Sequence, residues 1–313
     1  MKTTVFLLLF FTSFPAAFAQ DLDQLAREMV FGTDTNCSRN SYRYFMSLLH
    51  DQKLETRDIQ NFNGMAISPE AAAGCMLEHI RTQVFVRGLY RAAKSLNKDS
   101  IRILYVGCGP LAPFMSLTAP LLPGARYTLV EISENAAAAA KTLIHRLRLQ
   151  GHLDTLIVAD ATGMKFLAGA SYDIVITETM DAGLYNEMMI PILINILPQV
   201  KREAILIPEE VTLELFVSKS AGAGQRFPVF TATDLLNCYR ENGKFPVTEF
   251  AVPGGATIFI DTSVRVFRDI FLNPGESAIT RRLRVRPQAG KPLRFSYGIT
   301  PPGMTIDKGR LGY

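Results

Sequence analysis

The chain of 313 residues has no tryptophan, only four cysteines and only four histidines. Cys37, Cys75, Cys108 and Cys238 form no CxxC pair, and His50, His79, His145 and His152 form no HExxH arrangement, so no metal site is expected. An even number of cysteines permits disulfides after export, although Cys108 lies in a glycine-rich turn that favours a free thiol. Charge of one sign is also scarce. The 33 basic and 29 acidic side chains leave a net +4, too small a surplus to imply a nucleic-acid or membrane partner. The run Val5 to Phe11 is far shorter than the roughly 20 apolar residues of a membrane helix. The chain is long enough to bury a core without disulfide staples.

That apolar run belongs to a segment of its own kind. Lys2 precedes it, Pro15 follows it, and Ala17-Phe18-Ala19 supplies a small-x-small cleavage pattern. Residues 1–19 therefore read as a secretory leader. The alternative is a misassigned start or a buried N-terminal helix. Export follows from the first reading and a cytoplasmic location from the second. Asn36-Cys37-Ser38 also matches the glycosylation pattern, a match short enough to arise by chance.

Beyond the leader, Asp21 to Phe31 and Ser41 to His50 are expected to form short amphipathic helices. Ser68-Pro69-Glu70 is a strong helix start, serine capping free N–H groups and proline losing no bond at the first position. This helix is expected to run to about Leu96. Apolar strands and helices then alternate: Ile101 to Val106, Tyr127 to Ile132, a helix through the alanines to Leu149, Thr155 to Ala159, Tyr172 to Thr177, a helix from Leu184 to Leu197, and Ala204 to Ile207. Such alternation predicts a doubly wound, mostly parallel α/β sheet covered on both faces. After Pro208 the pattern changes to β-branched and aromatic strands at Val211 to Val217, Thr257 to Phe267, Arg282 to Val285 and Leu293 to Tyr297, a mainly antiparallel extension. Ser218 to Gly243 reads as an excursion of loops and one short helix. The last dozen residues receive no assignment.

Open α/β sheets bind ligands at the carboxyl ends of their strands, where strand order reverses. The first strand runs into Gly107-Cys108-Gly109, where glycines allow a sharp turn and close backbone approach. Glu131 ends the second strand 22 residues after Gly109, close to the interval of about 20 at which an acid meets ribose hydroxyls. Asp160 ends the third strand, followed by Ala161, where an adenine amino group could be met, and Glu178 ends the fourth. Each carboxylate alone is as well explained as a helix cap or solvated turn. Three at consecutive strand ends face one crevice, an arrangement chance rarely produces. Nicotinamide cofactors carry a pyrophosphate that sits on a helix N-terminus reached through a third glycine. Here Pro110, Leu111 and Ala112 take those positions, so a cofactor without phosphates fits better.

With these features the sequence resembles the class I S-adenosylmethionine-dependent methyltransferases, and over residues 68–217 it is similar to the protein arginine methyltransferase family. Glu78-His79-Ile80-Arg81-Thr82 is similar to that family's acidic-x-Val-Arg-Thr helix, and Arg81 lies 26 residues before Gly107. The segment from Thr177 to Glu187 is similar to its double-glutamate loop, with Glu178 and Glu187 nine positions apart. Ile207-Pro208 then resembles the turn into the family's β-barrel. The resemblance implies S-adenosylmethionine as cofactor. It assigns the cofactor's carboxylate to Arg81 and its nucleoside to Gly107, Cys108, Gly109, Glu131, Asp160 and Ala161. Glu178, Glu187 and Asp181 become the catalytic candidates, clamping an amine or guanidine nitrogen.

Departures from the family are equally definite. Tyr105 stands where an acid usually meets the cofactor's amino group, the threonine-histidine-tryptophan substrate loop has no counterpart, and the carboxyl-terminal part is short for a full barrel. A small-molecule O- or N-methyltransferase with its acceptor set by the C-terminal region is the first alternative, and a non-catalytic protein that kept the fold is the second. The expected organisation is a leader over 1–19, a helical segment over 20–67, a cofactor-binding α/β domain over 68–208 and a β-rich region over 209–313. The acceptor is a small molecule or a protein side chain. No membrane span is expected beyond the leader. Family likeness implies a homodimer, although the sequence shows no dimerisation arm.

Overall fold

The computed structural model describes residues 17–61, 64–166, 171–220 and 223–312. The leader lies outside them except for residues 17–19, where helix α1 (Ala17–Phe31) begins. Helix α2 (Cys37–Leu48) follows, and then a hairpin of β1 (Ile59–Asn61) and β2 (Gly64–Ala66), whose three-residue strands are too short to show a period in sequence.

Ser68 opens the next helix as expected: its hydroxyl accepts the Ala71 N–H at 3.3 Å, with Pro69 at the first helical position. The helix does not run unbroken to Leu96. α3 (Pro69–Gly74) passes through a 3₁₀ turn at Cys75–Leu77, and the backbone swings out of helical geometry at Glu78 (ψ 89°) before α4 (His79–Ser95). The reason lies far along the chain. One oxygen of Glu78 accepts the Ser277 hydroxyl at 2.5 Å and the Ala278 N–H at 2.8 Å, while the other faces Arg81.

The α/β unit contains β3 (Ile101–Val106), α5 (Pro113–Thr118), β4 (Ala125–Glu131), α6 (Glu134–Arg146), β5 (Leu153–Val158), β6 (Ile174–Thr177), α7 (Met189–Ile196) and β7 (Ile205–Ile207). Its five strands are all parallel, in the order β5-β4-β3-β6-β7. The chain starts in the middle and reverses direction across the sheet between β3 and β6. Successive residues of β3 feed two separate apolar clusters. Ile103 and Tyr105 pack with Phe85 and Leu89 of α4 and Phe114 of α5, whereas Leu104 and Val106 pack with Ile192 and Ile196 of α7. Both faces of the central strands are therefore dry, which is why β3, β4 and β6 read as largely apolar runs, whereas the edge strand β5 has no buried residue. The helix expected from Leu184 to Leu197 is shorter than predicted. A 3₁₀ turn at Ala182–Leu184 precedes it, and Gly183, Leu184 and Asn186 all have positive φ (72°, 50° and 52°), which no α-helix accommodates.

The C-terminal region comprises β8 (Glu210–Ser220), β9 (Ala223–Thr231), α8 (Ala232–Asn242), β10 (Val247–Phe250), β11 (Thr257–Phe267), β12 (Ile270–Leu272), β13 (Leu283–Pro287), β14 (Leu293–Ile299), β15 (Pro302–Asp307) and β16 (Gly309–Gly312). One antiparallel sheet runs β16-β13-β11-β8-β9 with β12 beside β11, and a second runs β10-β14-β15. The excursion expected over Ser218 to Gly243 is in fact the return strand of a long hairpin plus α8, and the unassigned tail forms β15 and β16. Small residues in β9 hid it from a reading of side-chain pattern. The tail hairpin presses on the loop before α7: a Cβ at Gly303 would lie 2.5 Å from the Asn186 nitrogen. Among the described residues no helix is long and apolar enough to cross a membrane.

Candidate active site

The carboxyl end of β3 turns through Gly107 and Gly109, both in left-handed geometry (φ 71° and 62°). At Gly107 a Cβ would come 2.4 Å from the Thr179 methyl, so the turns after β3 and β6 can approach only because no side chain is there. The Gly109 N–H donates to Glu131 Oε2 at 2.7 Å, and the Ser133 N–H donates to Oε1 at 3.0 Å. Glu131 is buried, and burial pushes its carboxyl up while those two N–H groups pull it back. Each oxygen retains a second lone pair for a donor in the cavity that Glu131 lines.

Across the crevice, the break at Glu78 puts Arg81 in the first turn of α4. Arg81 is 5% exposed, and its guanidinium bridges two acids, Glu78 at 3.1 Å and Glu178 at 3.6 Å. Burial works against its charge, but Glu178, Cys75 and Glu78 together more than compensate and keep it protonated. Glu178 stands just past the end of β6. Burial pushes its carboxyl up to about 7 despite the opposing pull of Arg81.

The loop after β6 supplies the other acids. Asp181 caps the 3₁₀ turn, accepting the Ala182 N–H at 2.7 Å, and its outer oxygen lies 3.9 Å from Arg281. Glu187 is buried, with its carboxylate largely engaged: it takes the N–H groups of Met189 and Ile190, capping α7, and the hydroxyl of Tyr297 from β14. Burial raises it too to about 7 against these three donors. Tyr105 is packed rather than polar, its ring stacked on Phe114 at 5.0 Å and its hydroxyl reaching the Cys108 carbonyl at 3.4 Å.

These groups surround one cavity of about 400 Å³, within the range of small-molecule sites. Arg81, Gly107, Cys108, Gly109, Glu131, Ala161, Glu178, Asp181 and Glu187 all line it. Asp160 does not. Its Oδ1 is turned back on its own turn, accepting the Thr162 N–H at 2.9 Å and hydroxyl at 2.7 Å, and the lining from this loop comes from Ala159 and Ala161. Sequence reading missed much of the remaining wall: Met65 in β2, Cys75 and Met76 in the 3₁₀ turn, Met188, and Ala278 and Ile279 from the C-terminal region. Nothing local in the chain announces them. Glu78 was legible only as the acid of the acidic-x-Val-Arg-Thr-like motif that carries Arg81.

A pH dependence follows from the two raised carboxyls. Below their ordinary value near 4.5 both are protonated in folded and unfolded chains alike. Between 4.5 and about 7 the folded protein holds more protons than the unfolded one, so stability is lost as pH rises through this window. The ligand-free protein is therefore expected to be less stable at pH 7.5 than at pH 5.5, by an amount on the order of a few kcal/mol, and to melt at lower temperature. Scanning calorimetry checks this, and Glu178→Gln should remove part of the slope.

No family model matches the sequence, and no curated protein matches it. Among solved structures the chain is similar to a Trypanosoma brucei PRMT1 enzyme-prozyme heterotetrameric complex with AdoHcy, with a TM-score of 0.52 and 12% identity over 76% of this chain and 96% of that one. It is also similar to Arabidopsis thaliana protein arginine methyltransferase 10, with a TM-score of 0.51 and 11% identity over 74% of this chain and 94% of that one. At such identities the likeness speaks to architecture: the parallel sheet and its antiparallel C-terminal extension are the fold seen in protein arginine methyltransferases.

Proposed function

We propose that this chain is an S-adenosylmethionine-dependent methyltransferase that acts on an amine or guanidine nitrogen held beside Glu178. The observation that carries the reading is convergence: Arg81, Glu131 and Glu178 come from three separate elements to one cavity where strand order reverses. The residues suit the cofactor. Glu131 has acceptor capacity for a ribose diol, Arg81 is a buried cation for a carboxylate, and Gly107 leaves the backbone bare. Five acidic side chains and Arg81 as the one basic side chain line the cavity among the described residues, a balance that favours a cationic ligand such as a sulfonium.

When bound, that cofactor supplies a methyl group already activated as an electrophile. The protein's task is then to align the acceptor, and positioning of this kind can lower a barrier by roughly 7–11 kcal/mol. Glu178 is the group for it: its carboxyl lies at the cavity wall, accepts an N–H of the acceptor and, near neutral pH, can take up a proton. Glu187 has less to offer a substrate directly, because three protein donors already hold it. Its part in the expected clamp is to fix the loop that carries Asp181 and Tyr185.

Titration calorimetry with S-adenosylhomocysteine, followed by assay of labelled methyl transfer to amine, guanidine and hydroxyl acceptors, tests the proposal. Binding with transfer to nitrogen supports it. Binding without transfer to any acceptor leaves a non-catalytic protein, transfer to hydroxyls alone points to the small-molecule alternative, and absence of binding removes the reading altogether.

A further inference from the structure

The solvent face of the sheet β16-β13-β11-β8-β9 gathers arginines from parts of the chain far apart in sequence. The pairing sets Arg284 opposite Phe259, Phe259 opposite Phe216 and Phe216 opposite Arg226, one continuous row across four strands. On one side of the row Arg286 lies directly opposite Arg310. On the other, Arg282 and Arg226 converge on Asp261 Oδ2 at 2.8 and 2.9 Å, with Glu214 3.8 Å from Arg226. With Arg265 opposite Glu210 farther along, six positive groups share the face with three acids, a surplus of three. Arg284, Arg286 and Arg310 are exposed and make no ion pair among the described residues.

Two features point to what this face takes. Like charges directly opposite on paired strands are destabilising, so the Arg286–Arg310 pair carries a cost that a polyanion would relieve. The guanidinium of Arg282 also lies over the Phe216 ring at 4.6 Å and near Phe259 at 5.9 Å, holding a flat cationic plane against an aromatic base. Such a plane stacks a nucleobase on its outer side, with free arginines alongside for phosphates. A bilayer is a poorer fit, since Phe216 and Phe259 are recessed under the guanidiniums and Phe271, opposite Arg265 at the far end of the sheet, is a lone exposed large apolar side chain on this face among the described residues. An acidic polypeptide would use the charge and leave the stacked plane idle. We propose that this arginine-phenylalanine sheet face binds single-stranded nucleic acid. The proposal is independent of the reading given to the cavity.

Fluorescence anisotropy of the full chain with labelled oligo(U) and oligo(dT) provides the test. With three unpaired arginines engaging phosphates, affinity should fall about twentyfold between roughly 50 and 200 mM salt. Arg286→Glu should weaken binding tenfold or more without lowering the melting temperature, because it places opposite charges across from each other at Arg310. Arg282→Lys keeps the charge but loses the plane, and should weaken oligo(U) binding severalfold with an unchanged salt slope. Lys94→Glu on α4 should change nothing. The proposal is overturned if neither oligonucleotide binds at low salt, if Arg286→Glu binds normally, or if polyglutamate or phosphatidylserine vesicles compete as well as oligo(U) at equal charge.

Discussion

Arg81→Lys is expected to weaken S-adenosylhomocysteine binding by roughly thirtyfold to several thousandfold, the equivalent of about 2–5 kcal/mol for disrupting a buried, hydrogen-bonded charge pair. The planar fork now spans Glu78 and Glu178 from a position 5% exposed. A lysine presents a point charge on a flexible stem and cannot hold two acids and a ligand carboxylate in fixed directions. Arg81→Ala should be worse for the fold as well as for binding, since it leaves two acids facing each other in a closed space, a loss of about 3–5 kcal/mol. Calorimetry on the lysine variant separates the two effects, because it keeps the charge. An unchanged dissociation constant would remove Arg81 from the cofactor site.

Glu178→Gln should lower kcat by roughly a hundredfold to ten-thousandfold, the range for loss of a positioned acid or base. The variant should bind the cofactor at least as well as the parent protein, since Arg81 no longer has that carboxylate as a competitor for the ligand's own. In the parent protein Glu178 must be ionised to receive a proton, so activity rises with pH through about 7 and levels above it. The glutamine variant should show no such rise. A rate that falls while the pH profile keeps its shape would assign the ionisation to another group, with Glu187 the next candidate because burial raises it to a similar range.

How much of this was legible in the sequence depends on how far each cause lies from its effect. The central strands of the parallel sheet were readable because burial on both faces makes them largely apolar. The ligand end was readable because Gly107, Gly109 and Glu131 act within two neighbouring strands. The break at Glu78 was not, because its cause is a hydrogen-bonding partner at Ser277. Asp160 was expected in the crevice as a strand-end acid, yet a threonine two residues on captures its oxygen, a local competition that strand-end position does not register. Glu187 was recognised by spacing, but its engagement by Tyr297 depends on a strand 110 residues away. Net charge gave no hint of the arginine face. It averages over the whole surface, and Arg226, Arg282, Arg284, Arg286 and Arg310 become neighbours only once strand register is known.

The bond between Glu78 and Ser277 ties the first turn of α4 to a residue 199 positions later. A nascent chain can pair its parallel strands once residue 207 has emerged from the ribosome. The acid that orients Arg81 still lacks its anchor at that stage, and Ala278 and Ile279 have yet to close the cavity wall. The pocket is thus among the last things this polypeptide acquires during synthesis, and premature termination before Ser277 would yield a sheet without a working ligand site.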